Sequence, residues 1–109
     1  MRRACLALCL ALAAGPALAQ SIEGTWQVGN GETVTYAQCA EGFCSTIDSG
    51  SFAGGSVGAM RPANGRYEGT VRDPESGKTY EGHATVEGNV LTLTGCVAKI
   101  FCRSQTWTR

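Results

Sequence analysis

Gly24-Thr25-Trp26 and Gln105-Thr106-Trp107-Thr108-Arg109 bracket the chain, and these two strings decide how it folds. A Gly-x-Trp entering a first strand, answered by an aromatic and an arginine on a last one, fits a small β-barrel whose first and last strands meet. The two rings then fill the closed end, and a guanidinium lies over an indole face. Trp26 and Trp107 are therefore expected to be buried, with Arg103 or Arg109 over the Trp26 ring. Closure turns a string of short hairpins into a cup, which is a binding shape.

Between the brackets the sequence reads as all-β. Glycine recurs throughout, apolar residues alternate, and no 3.6-residue apolar period lasts the length of a helix. Eight short strands are expected, over 24–29, 33–39, 43–49, 57–61, 66–73, 78–87, 90–97 and 101–108. Asn30-Gly31 and Asn64-Gly65 carry the chemistry of type I′ hairpin turns, which need φ > 0 at both central residues. Asp73-Pro74-Glu75-Ser76-Gly77 fits a type I turn with Gly77 left-handed, and Gly88-Asn89 is a further tight pair. Only 49–56, rich in Gly and Ser, reads as a long loop. No repeat or linker divides the chain, so residues 20–109 form one antiparallel up-and-down barrel.

Period-two parity sorts the faces. Trp26, Val28, Val34, Tyr36, Phe43, Ile47, Tyr67, Val71, Tyr80, Val86, Leu91, Leu93, Phe101 and Trp107 share the inward side. Cys39, Cys44, Cys96 and Cys102 fall on the outward one. Cys39 and Cys44 flank one hairpin turn, and Cys96 and Cys102 another. Residues opposed across a hairpin lie about 4.5–5.5 Å apart at Cα, a distance that suits a disulfide. In up-and-down order those two turns lie at opposite ends, so the expected bonds are Cys39–Cys44 and Cys96–Cys102. Each closes a small ring worth under about 3 kcal/mol. A zinc site is a poor match, because C-x5-C lacks the usual C-x2–4-C spacing. A redox pair would want C-x-x-C at a helix start.

Residues 1–19 read as a signal peptide. Arg2 and Arg3 give a positive start, 4–14 an apolar run too short for a membrane anchor, and Ala17-Leu18-Ala19 a cleavage site. The chain has nine basic and nine acidic residues. Without Arg2 and Arg3 the mature chain carries seven against nine, a net charge of −2 that offers no footprint for nucleic acid or an anionic membrane. Four cysteines in an exported domain of this size are the staples a small core needs, and the expected location is periplasmic or secreted.

Catalysis has little to stand on. The single histidine, His83, shares the solvent-facing parity of Glu81 and Thr85, and Asp48, Asp73 and Glu75 sit at strand ends or turns. No nucleophile elbow, phosphate loop, metal constellation or cofactor motif is present, so the chain reads as no enzyme. Two inward features could carry binding. Arg103 and Gln105 put polar groups in an apolar interior, where Arg103 could clamp a carboxylate or else stack on Trp26. Gly69, Gly82, Ala84 and Gly95 could leave a cavity, or could let the strands coil sharply. Arg103, Gln105, Tyr36, Tyr80, Trp26 and Trp107 are the ligand-binding candidates.

The stretch from Tyr67 to Tyr80 (YEGTVRDPESGKTY), then Leu91-Thr92-Leu93-Thr94-Gly95-Cys96 and Gln105 to Arg109, resembles an uncharacterised bacterial family, domain of unknown function 2147. Gly24-Thr25-Trp26 and the pair Cys39 and Cys44 match its N-terminal half. The resemblance implies an exported, lipocalin-like barrel with no established activity. The chain departs from the family pattern at Ser45, where Gly is usual, and by a shortened 47–67 segment. The expected function is a small exported binding protein that holds an apolar or amphipathic molecule in its barrel. The alternative is an inhibitor or partner-binding barrel that meets another protein through its loops, 49–56 above all.

Overall fold

A computed structural model describes residues 21–109, so the leader read over 1–19 lies outside the described residues. Eight strands follow one another: β1 (Gly24–Val28), β2 (Glu32–Cys39), β3 (Gly42–Ile47), β4 (Ala59–Ala63), β5 (Arg66–Arg72), β6 (Thr79–Glu87), β7 (Val90–Val97) and β8 (Phe101–Thr108). They form a closed barrel in which each strand pairs antiparallel with the next and β8 returns to β1. This is the up-and-down order that the regular turn signals imply.

The turns repay a closer look. Ala63 stands opposite Arg66, and between them Asn64 (φ +53°) and Gly65 (φ +77°) make the I′-type turn expected of that pair. The first hairpin differs. Val28 stands opposite Glu32, which leaves a three-residue connection, and Gly29 and Gly31 rather than Asn30 take positive φ. Sequence reading also starts β4 too early. Residues 57 and 58 cross between β3 and β5 before β4 begins, with Ser45 N–H donating to Gly58 O (3.2 Å) and Arg72 N–H to Val57 O (2.8 Å).

One end of the barrel carries both the N-terminal segment and the C-terminus, with the 40–41, 64–65 and 88–89 turns; it is filled. Trp26 and Ile22 are wholly buried, and Trp107, Leu91, Met60 and Val34 pack with them. The Trp26 indole N–H donates to Ile22 O (2.9 Å), which folds residues 21–23 under the barrel as a plug. Tyr67 O–H accepts from Ile22 N–H (3.3 Å) and its ring meets Phe43 edge-on at 5.9 Å. Arg109 closes the arrangement. Its guanidinium lies 4.1 Å from the centre of the Trp26 ring and donates to Ser21 O, Glu23 O and Gly88 O. Of the two arginines considered for this stack, Arg109 fills the role.

Both disulfides form as expected, Cys39–Cys44 at the filled end and Cys96–Cys102 at the other. Their placements differ in kind. Cys96 stands directly opposite Cys102, whereas Cys39 faces Gly42 and Cys44 faces Ala37. The first bond is thus diagonal, because the β2–β3 turn holds only residues 40 and 41 and Cys44 lies two places beyond the residue opposite Cys39.

Trp26→Ala should cost about 3–5 kcal/mol, the usual range for deleting a buried tryptophan, and leave a domain of this size barely folded. Arg109→Ala removes a stack and its hydrogen bonds from an accessible site and should cost less, about 1–2 kcal/mol. Urea denaturation of both variants checks the order. A Trp26→Ala protein as stable as the parent would mean that the plug does not hold the barrel shut.

Candidate functional site

Cross-strand register places the inward side chains of β5 to β8 in rows. Nearest the filled end are Val86, Leu91 and Trp107; next come Tyr67, Ala84, Leu93 and Gln105. The third row is Gly69, Gly82, Gly95 and Arg103, and the outermost is Val71, Tyr80, Val97 and Phe101. Three glycines in one row leave room that a neighbour takes up. A Cβ on Gly95 would stand 3.3 Å from Val71 Cβ, and one on Gly82 would collide with Val71 Cγ2. Val71 therefore lies down over Gly82 and Gly95, and β5 coils close to β7. Of the two readings open for these glycines, coiling is realised at Gly69 and Gly82, while Gly95 both packs on Val71 and lines a cavity, and the packing gives the barrel a floor partway up.

Beyond that floor the barrel is open. A cavity of about 800 Å³ is lined on its inner wall by Val71, Tyr80, Leu93, Gly95, Arg103 and Gln105. Its rim is Asp73, Glu75, Val97, Ile100, Phe101 and Cys102. The opening has a structural cause. β1 and β8 share one residue pair, Gln27 opposite Thr108, so β8 above Trp107 has no strand on its far side among the described residues.

Of the candidates read from sequence, Arg103, Gln105 and Tyr80 come together here. Trp26, Trp107 and Tyr36 do not; all three are buried in the core. Arg103 and Gln105 are expected inside an apolar interior, yet both are exposed, because the missing neighbour of β8 leaves their row uncovered. Phe101, expected inward, is 74% exposed in the outermost row for the same reason. Sequence reasoning missed Ile100, which is 73% exposed. Its signal was present: a turn that carries Val97, Ala98, Ile100 and Phe101 around a single Lys99 is unusual where polar residues are the rule. Ala98 (φ +55°) and Lys99 (φ +62°) hold this turn in a conformation that side chains rarely adopt.

Electrostatics distinguish the polar groups at the mouth. Asp73 accepts from Glu75 N–H (2.9 Å) and Ser76 O–H (3.1 Å), and these bonds, aided by the Arg103 charge, hold its carboxyl below the usual range. Gln105 Oε1 accepts from the Trp107 indole N–H (3.1 Å). Elsewhere, burial pushes the Tyr36 hydroxyl far above its ordinary range, with Ser45 opposing weakly, and its oxygen has no hydrogen-bond partner of good geometry. Ser45 Oγ is engaged by Gly58 O and Val57 N–H, which is why it does not satisfy Tyr36. His83 is half-buried on the outer face opposite Glu68, and partial burial together with Arg66 lowers its pKa. Cys39, Glu41 and Cys44 cluster closely enough to hold an ion, but both sulfurs are bonded to each other and neither is a thiolate.

Fold and cavity together define a small disulfide-stapled β-barrel, filled at one end and open at the other. Residues 56–109 match the family described as an uncharacterized protein conserved in bacteria (DUF2147), the family that the sequence resembles. The match spans β4 to β8 and so takes in the whole cavity wall. No curated protein and no solved structure matches the chain. Two disulfides in a chain with a bacterial family signature point to an oxidising location outside the cytoplasm. No helix among the described residues is long and apolar enough to cross a membrane.

Because Val71 fills the space over Gly95, Gly95→Ala should overpack the floor and cost about 1–3 kcal/mol. Val71→Ala in the same chain removes both γ-methyls but keeps the Cβ 3.3 Å away, and should recover part of that loss. A denaturation double-mutant cycle measures the coupling directly. Additive effects would show that the two residues do not share one space.

Proposed function

We propose that this is an exported binding protein, periplasmic or secreted after removal of residues 1–19, whose open-end cavity receives a small amphipathic molecule. The observation that carries the reading is the cavity itself. At about 800 Å³ it falls within the range of about 300–1,000 Å³ typical of small-molecule sites. It also brings apolar side chains (Val71, Leu93, and Phe101 at the rim) together with polar ones (Tyr80, Arg103, Gln105, and Asp73 and Glu75 at the rim), and polar surface is the larger share.

A second reading has one observation of its own. Phe52 on the 48–58 loop (43% exposed), Ile100 and Phe101 are bare apolar side chains at the same end, and such groups also suit a protein partner.

A dansyl-labelled undecanoic acid should bind the mature protein saturably, with amide shifts at Tyr80, Leu93, Gly95 and Arg103. Replacing Ile100 and Phe101 together by Ser should weaken it by about tenfold with melting nearly unchanged, since exposed positions carry little stability. Failure of the probe to bind, with a partner's binding abolished by changes in 49–56, would favour the second reading.

A further inference from the structure

We infer that the cavity selects an anionic amphiphile, held head-inward with its carboxylate on Arg103 and Gln105. This rests on the reading of the cavity as a ligand site and adds the charge and orientation of the guest.

Arg103 can only donate, and beyond its electrostatic attraction to the Asp73 carboxylate no hydrogen bond or ion pair engages its guanidinium among the described residues. Gln105 is oriented by Trp107. An indole N–H can only donate, so the amide oxygen must be the atom facing it, which leaves Nε2 and its two hydrogens for the cavity. Asp73, whose carboxylate feels the Arg103 charge, is turned to its own loop by Glu75 N–H and Ser76 O–H. Glu75 is exposed at the rim, where water screens it. Arg103 and Gln105 thus offer only donors to the cavity, Tyr80 adds a hydroxyl that can donate as well as accept, and together they call for an acceptor-rich anion.

Spacing agrees. Arg103 and Gln105 are two apart on β8, which puts them on one face about 7 Å from each other. A carboxylate between them can take the guanidinium fork and the amide N–H together.

Row order sets the orientation. Arg103 lies one row, and Gln105 two rows, deeper than Phe101. A head seated on them leaves its tail to pass Val71 and leave across Ile100 and Phe101, the two most exposed large apolar side chains of the described residues. The guest would cover what the barrel leaves bare.

The test uses decanoate, decanol and decyltrimethylammonium, each below its micellar concentration, titrated calorimetrically into the mature protein. Decanoate should bind about tenfold or more tighter than the other two, as expected when a charged hydrogen bond is gained. Arg103→Gln should bring decanoate down to the level of decanol and leave decanol unchanged. Gln105→Glu keeps an oxygen for Trp107 but replaces the donor by an anionic acceptor, so it should weaken decanoate without shifting the melting temperature. Equal binding of acid and alcohol, or a preference for the ammonium, overturns the inference while the cavity stands as a ligand site. Binding of none of the three overturns both.

Discussion

The barrel depends on how its first and last strands are joined, and backbone pairing does little of that joining. β1 and β8 share one residue pair, whereas β5 to β8 are paired along most of their length. Side chains carry the seam. Trp26 sits beneath it, Ile22 is drawn under Trp26 by the indole N–H, and Arg109 reaches from the last residue to three carbonyl groups of the 21–23 segment and the β6–β7 turn. An arginine is well suited to this. Its planar fork can serve several acceptors while its face rests on an aromatic ring, which a lysine could not do.

The asymmetry of the molecule follows from that seam. Because the plug and the Trp26–Arg109 stack lie at the end with the termini, the large core residues gather there. At the other end β1 stops at Val28 and turns away while β8 continues upward, so the wall is incomplete where the cavity lies. The row of Gly69, Gly82 and Gly95 completes the division. It lets β5 approach β7 and lets Val71 form a floor, so the hollow is a wide mouth rather than a deep interior.

Much of this was legible in the sequence, for identifiable reasons. All eight strands and both disulfides could be placed because period-two parity and tight turns are local signals that a small barrel cannot override without burying charge. The Trp26 stack was legible because so few partners exist for a tryptophan on a first strand. What failed was what depends on closure. Parity says that Arg103, Gln105 and Phe101 point inward, and they do. It does not say whether anything covers them, and coverage depends on where β1 ends relative to β8. Likewise, glycine at 82 and 95 is compatible with a void or with close packing, and only the position of Val71 decides between them.

The open end shows the same logic at the level of one hairpin. The β7–β8 turn holds Ala98 and Lys99 at positive φ, a conformation that relaxes unless its ends are fixed. Cys96 and Cys102, directly opposed, fix them. That bond does not touch the core, so its contribution is to hold the turn that carries Ile100 and Phe101 at the rim. A protein that only needed to fold would place polar residues there, since solvent-exposed isoleucine and phenylalanine bring no stability to a monomer. The Cys96–Cys102 bond and the Val97–Phe101 pairing beside it thus hold the turn, and with it two bare apolar side chains, at the rim of the cavity.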